Sequence, residues 1–74
     1  MKDFEYTIII KEDTDGGYWT QVPALSGCGS QGDTLEEALE MTKDAIRGYL
    51  LVLQEDGEPI PPDVKQVMTV TVAA

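Results

Sequence analysis

Residues 34–57 constrain the fold of this 74-residue chain more than any other part of its sequence. Thr34 and Glu37 form a capping box, in which the hydroxyl accepts from the Glu37 amide and the carboxylate reaches back to Thr34. We predict a helix of about 30 Å that ends near Glu55, with Gly57 just past its C-terminus. Small and apolar side chains recur at helical spacing on one face of it: Leu35, Ala38, Leu39, Thr42, Ala45, Ile46, Tyr49, Leu50 and Leu53.

Four other segments have the composition and alternation of strands. They are residues 4–11, 18–22 and 28–31 before the helix and residues 64–72 after it. Gly16 and Gly17 allow a tight hairpin between the first two segments, and Pro23 ends the second. The order β-β-β-α-β predicts an α+β fold, in which an antiparallel sheet is packed by one long helix within a single domain over residues 1–74.

The charge of the chain argues against several classes of partner. Fourteen acidic residues against five basic ones give a formal net charge of −9. Binding to nucleic acid phosphates needs clustered Lys and Arg, and an anionic membrane surface would repel such a chain. No apolar run approaches the ~20 residues of a membrane span. We expect an acidic cytoplasmic protein that attracts cationic partners.

The sequence also lacks most of the residues that carry catalysis or bind metals. Histidine is absent and Cys28 is the single cysteine, which excludes a disulfide within the chain and a metal staple of the usual His/Cys kind. Cys28 has no base to activate it and is interpreted as an inert buried thiol. We therefore predict no catalytic residue, no metal site and no cofactor. Carboxylates that hold magnesium are the one catalytic alternative, and no pattern in the sequence brings them together.

Several short motifs in fixed order resemble HicB-like antitoxins, once known as an uncharacterised protein family. The motifs are residues 16–19 (Gly-Gly-Tyr-Trp), 22–28 (Val-Pro-Ala-Leu-Ser-Gly-Cys), 31–38 (Gln-Gly-Asp-Thr-Leu-Glu-Glu-Ala) and 56–61 (Asp-Gly-Glu-Pro-Ile-Pro). The resemblance covers nearly the whole chain. It implies a partial ribonuclease-H-like fold without catalytic function. It also implies a toxin–antitoxin role, in which the chain binds and neutralises a small basic HicA-type toxin that cleaves mRNA with a catalytic histidine.

One departure from the family pattern bears on DNA binding. Many family members continue into a helix-turn-helix or ribbon-helix-helix segment that binds the operator, whereas this sequence stops at Ala74, directly after the last predicted strand. We expect no separate DNA-binding domain and no direct DNA binding by this chain. Two alternatives to the antitoxin stay open: an orphan homo-oligomeric binding protein with an unknown ligand, and a residual metal-dependent nuclease.

If the partner is a basic ribonuclease, acidic side chains should steer its association. The candidates are the hairpin acids and the exposed helix acids, namely Glu12, Asp13, Asp15, Glu36, Glu40 and Asp44. Trp19 and Ile9 are candidates for an apolar anchor, because they project from the sheet face opposite Tyr6, Ile8 and Ile10, and tryptophan is frequent among interface hot spots. The alternative for Trp19 is burial under residues 59–64.

The predicted helix also has a second apolar row, which suggests a homodimer or tetramer. Met41, Ala45, Gly48 and Val52 follow one another on the flank of the core stripe, and Leu51 is a further exposed apolar group. A close contact at Gly48 would explain a glycine that costs a helix interior roughly 1 kcal/mol relative to alanine. The alternative is that Met41 and Val52 merely widen the core stripe.

Overall fold

The computed structural model describes residues 3–74 and has the predicted α+β architecture. Three strands, β1 (Ile9–Glu12), β2 (Tyr18–Gln21) and β3 (Gly29–Gly32), precede one helix, α1 (Leu35–Glu55). The strands form one antiparallel sheet in the order β1-β2-β3. β1 begins at Ile9, opposite Gln21, because β2 ends before Pro23 and offers no partner to the earlier residues. Of the described residues, none forms a helix with the apolar length needed to cross a bilayer.

The β1–β2 hairpin has the turn that its glycines predict. Gly16 and Gly17 have φ of +93° and +83°, a region that glycine enters without steric cost. The Asp13 N–H donates to the Gly17 carbonyl at 3.1 Å. The register pairs Ile10 with Thr20, and Thr20 is buried, so these two residues lie on the sheet face that α1 covers.

The helix begins at the predicted cap, with one change in detail. The Glu37 N–H donates to the Thr34 hydroxyl at 3.1 Å, but the Glu37 carboxylate accepts from the Asp33 N–H instead of that of Thr34. At the other end, Gly57 has φ of +69° and the Glu58 N–H donates to the Leu53 carbonyl at 2.8 Å. The predicted helix end at Glu55 is confirmed.

The core lies between α1 and the β2–β3 half of the sheet. Its buried apolar residues are Val22, Leu25, Cys28 and Leu50, and Ala38 is buried nearby. The Thr20 and Thr42 hydroxyls meet at 2.5 Å, and the Thr42 hydroxyl also reaches the Ala38 carbonyl. Both buried hydroxyls therefore have hydrogen-bond partners within the protein. At the N-terminal end of the predicted core stripe, Leu35 stays exposed.

The predicted fourth strand does not form. Residues 64–74 contain no strand, and residues 65–74 are exposed. Ile60 packs against the core, the Tyr6 hydroxyl donates to the Pro61 carbonyl, and the Thr7 N–H donates to the Asp63 carboxylate. The chain leaves the domain after this attachment. The alternating β-branched side chains of residues 64–72 favour an extended backbone. A strand becomes stable only when a neighbouring strand satisfies its N–H and C=O groups.

Candidate partner-binding surface

An acidic groove lies where the β1–β2 turn, the end of β3 and the first turns of α1 meet. Asp13, Asp33 and Glu37 are among the residues that line it, together with Trp19 and Met41. Lysine and arginine are absent from the described residues that line it. We call this surface the acidic groove. Three of its lining residues are acidic, and this composition suits a cationic protein surface.

Local hydrogen bonds hold two of the three acidic side chains of the groove, those of Asp13 and Glu37. The Asp13 side chain accepts from the Asp15 N–H at 3.2 Å within the hairpin turn, and Glu37 is held against the Asp33 N–H at 3.3 Å. Gly17 and Gly32 bring the two loops together, since a Cβ on Gly17 would lie 3.0 Å from the Gly32 carbonyl oxygen. The charges are therefore positioned by backbone turns and not by long flexible side chains alone.

Trp19 is exposed on the sheet face away from α1. It retains 40% of its accessible surface, so the alternative prediction of burial under residues 59–64 is wrong. The Lys11 ammonium lies 4.6 Å from the centre of the Trp19 ring, a cation–π arrangement. Ile9, on the same face, is 36% exposed. The two proposed anchor residues thus share one accessible face of the sheet.

The predicted helix acids lie apart from the groove and are partly neutralised. Glu40 pairs with Lys43 at 3.2 Å, and Asp44 pairs with Arg47. All four side chains are well exposed, and such pairs stabilise a protein little. They do reduce the negative potential that this face presents. Among the predicted acids, Asp13 therefore lies in the groove, whereas Glu40 and Asp44 do not line it.

Asp33 and Glu37 line the acidic groove but are not among the predicted partner-binding residues, and the sequence pattern assigned Glu37 to the helix cap. The signal that could have found them is the short connection between β3 and α1. Since Tyr18 pairs with Gly32, the residue after Gly32 must lie beside the β1–β2 turn. Met41 was assigned to self-association, but it also lines the acidic groove.

Three of the other self-association residues lie on a separate surface, which we call the helix-flank groove. Ala45, Gly48 and Val52 line it together with Cys28 and Gly29. A Cβ on Gly48 would meet no atom within 4 Å, so packing within the chain does not require glycine there. Leu51 and Val52 are each 55% exposed, and Ala45 is half-buried against the core. Self-association through this flank stays a prediction.

Two observations concern the side chains that a metal site or a nucleophilic cysteine would use. Within residues 3–74, no three His, Cys, Asp or Glu side chains converge as a metal site would require. Cys28 is buried, and burial raises the pKa of its thiol. A raised pKa disfavours the thiolate that a nucleophilic cysteine needs.

Comparisons with known proteins show several relatives of this sequence. Residues 6–73 match the family model described as "HicB_like antitoxin of bacterial toxin-antitoxin system". A UPF0150 protein of Thermoplasma acidophilum is 48% identical over 66 residues, which cover 89% of this chain and 96% of that protein. A UPF0150 protein of Archaeoglobus fulgidus is 43% identical over 67 residues, or 88% of this chain and 97% of the relative. Antitoxin HicB 1 of Photorhabdus laumondii is 38% identical over 61 residues, which cover 82% of this chain but 39% of that antitoxin.

Proposed function

The chain belongs to the HicB_like antitoxin family of bacterial toxin–antitoxin systems, and from that premise we propose that it binds and neutralises a small basic toxin of the HicA type, which cleaves mRNA. The observation that carries the proposal is the acidic groove beside exposed Trp19. A toxin that acts on RNA needs a basic surface that attracts phosphates. A surface bearing Asp13, Asp33 and Glu37 competes with RNA for it.

The residues divide into two roles. Acids at the edge of the contact steer the encounter and act mainly on the association rate, whereas a buried apolar anchor acts mainly on the dissociation rate. We assign steering to Asp13, Asp33 and Glu37, with Glu12 and Asp15 on the neighbouring turn, and anchoring to Trp19. Lys11 is displaced from the Trp19 ring when the toxin covers it.

The proposed role is inhibitory and not catalytic. Antitoxin family membership supports a non-enzymatic function, and the toxin supplies the chemistry. Because the proposed toxin acts on mRNA, the chain would work in the cytoplasm. With a formal net charge of −9, the chain is expected to attract the basic toxin and not to bind nucleic acid phosphates itself.

The test compares two charge-matched triple variants in binding to the small basic protein encoded next to this chain's gene. The groove triple is Asp13→Asn, Asp33→Asn and Glu37→Gln, which retains the side-chain oxygens that accept hydrogen bonds in the turn and the cap. The control triple is Glu36→Gln, Glu40→Gln and Asp44→Asn on the exposed helix face. Each removes three negative charges, so −9 becomes −6 in both.

We expect the groove triple to slow association by about tenfold at low salt and the helix-face triple to change it far less. Equal effects would show that net charge alone matters and would contradict the assignment to the groove. Absence of any complex between the unmodified chain and that neighbouring protein would contradict the proposed function itself. An orphan binding protein would give this second result.

A further inference from the structure

The C-terminal arm, defined as residues 65–74, carries the most exposed apolar side chains of the described chain. Met68, Val70 and Val72 are 77%, 81% and 78% exposed. They alternate with Thr69 and Thr71, so an extended arm has one wholly apolar face. The radius of gyration is 14.2 Å, against roughly 11 Å for a compact domain of this length. An apolar surface of this kind signals a missing partner.

The sheet has a free edge that suits such an arm. Among residues 3–74, β2 is the one strand that pairs with β1, and α1 packs across β2 and β3. The Asp13 N–H donates to the Gly17 carbonyl, so Asp13 and Gly17 form a hydrogen-bonded pair. Hydrogen-bonded pairs alternate along an antiparallel ladder, so Lys11 with Trp19 and Ile9 with Gln21 are also hydrogen-bonded pairs. The N–H and C=O groups of Ile8, Ile10 and Glu12 therefore point away from β2, toward the free edge.

An apolar groove runs beside this free edge on the helix side. Phe4, Tyr6 and Ile8 form one wall, and Ile46 and Leu50 form the other. Lys43 and Arg47 also line it, from the charged face of α1. Ile10 continues the same face of β1 and is 42% exposed. A strand added beside β1 would place every second side chain in this groove, which matches the spacing of Met68, Val70 and Val72.

The arm of the same chain is attached on the wrong side to fill this groove. Tyr6 and Ile8 both pack on the core, which indicates that the chain is extended from Tyr6 into β1. In an extended chain the N–H groups of Thr7 and Ile9 point the same way, toward the β2 side. That N–H binds Asp63. Ile60, just before, packs against the core cluster, which includes Val22 and Leu25 from the connection that follows β2. The arm thus departs from the β2 side and would have to cross β1 to reach its own free edge.

We propose that the C-terminal arm of one copy adds as a strand to the free edge of β1 in a second copy, with Met68, Val70 and Val72 in the apolar groove. Within the part of the chain that the structure describes, each copy has one arm and one sheet edge without a strand partner, so a reciprocal exchange about a two-fold axis satisfies both copies and closes the assembly. Main-chain hydrogen bonds to Ile8, Ile10 and Glu12 supply the pairing, as in other strand additions. This proposal is independent of the toxin.

The experiment measures oligomeric state by sedimentation equilibrium across low to high micromolar concentration for three full-length chains. The unmodified chain should be a dimer. Val70→Glu puts a charge into the apolar groove and should raise the dimer Kd by at least about tenfold. The matched control Thr69→Glu places the same charge on the opposite face of the arm and should change the Kd little. Helical circular dichroism should be unchanged in both variants, because residues 65–74 are exposed in the single chain.

A second measurement identifies whose arm is bound. In a mixture of isotopically labelled and unlabelled copies, a filtered NOE should connect the Val70 methyl groups of one copy to Ile10 of the other. A monomer at high micromolar concentration would overturn the proposal. So would a dimer that Val70→Glu leaves intact, which would assign self-association to the helix flank, or an NOE between Val70 and Ile10 within one copy.

Discussion

At the scale of single residues, Thr7 and Asp63 tie the segment after the helix to the start of the sheet. The Asp63 carboxylate accepts from the Thr7 N–H at 2.9 Å and from the Thr7 hydroxyl at 2.8 Å. The bond from the Thr7 backbone is the main reason that the pKa of Asp63 lies below its ordinary value of 3.8, with burial acting in the opposite direction. The attachment depends on the ionised carboxylate.

We predict that Asp63 titrates below 3.8 in the folded chain. Because the folded pKa is lowered, the attachment contributes its full stability above the unfolded pKa and loses it as pH falls through the folded value. The measurement is an NMR titration of the Asp63 carboxyl carbon, with Thr7→Val as the variant that removes the hydroxyl bond and keeps the N–H. In Thr7→Val, the titration midpoint of Asp63 should rise toward 3.8 but stay below it, because the bond from the Thr7 N–H remains. A midpoint at or above 3.8 in the unmodified chain would contradict the attachment.

At the scale of elements, the contact between β3 and α1 depends on one glycine that the helix approaches closely. A Cβ on Gly32 would lie 2.5 Å from the Ala38 backbone nitrogen, which cannot move without shifting the helix. Gly48, within α1, is the opposite case, because a Cβ there meets nothing within 4 Å. The same substitution should therefore have opposite signs at the two positions.

We predict that Gly32→Ala destabilises the fold by about 2 kcal/mol or more, as overpacking does, whereas Gly48→Ala stabilises it by up to about 1 kcal/mol through helix propensity. Urea unfolding of both variants at one protein concentration measures the two free energies. Gly48→Ala also tests the helix flank, since a close self-contact at that glycine would make the variant associate more weakly. A neutral Gly32→Ala would show that α1 does not approach β3 as closely as described.

Local signals predicted some elements well, because those elements are determined locally. The cap at Thr34, the helix end at Glu55 and the Gly16–Gly17 turn follow from neighbouring residues alone. The strand over residues 64–72 was predicted from alternation, but its pairing depends on a free edge that no local pattern reports. The acidic groove was predicted only in part, since it forms from Asp13 and Asp33, which meet through strand register and are distant in sequence.

At the scale of the whole molecule, the positions of the charges determine which surface attracts a basic partner, and the net charge of −9 does not determine this by itself. The ion pairs of α1 neutralise part of one face, whereas the acidic groove keeps its carboxylates together beside Trp19. A basic partner would approach the end of the molecule where the turn, β3 and the helix N-terminus meet. This places the proposed toxin contact at the Met41 end of the helix flank and apart from Ala45, Gly48 and Val52.

We predict that salt and Trp19 act on different rate constants of the toxin complex. Raising salt from ~50 to ~500 mM shortens the screening length severalfold and should slow association. Trp19→Ala should speed dissociation by about tenfold or more, as loss of an anchor residue does. Val52→Ala, an exposed apolar change outside the acidic groove, is the control. Surface plasmon resonance separates the two rates, and an association rate indifferent to salt would show that charge does not steer the complex.

The most direct test of the antitoxin function is a titration of toxin activity. The small basic protein encoded beside this chain's gene is incubated with a defined mRNA, and cleavage is measured as the chain is added in increasing amounts. We expect cleavage to fall to background once the chain saturates the toxin at a fixed stoichiometry, and the groove triple to need more protein than the helix-face triple. Cleavage that continues unchanged in a large excess of the folded chain would contradict the proposal that this protein is an antitoxin.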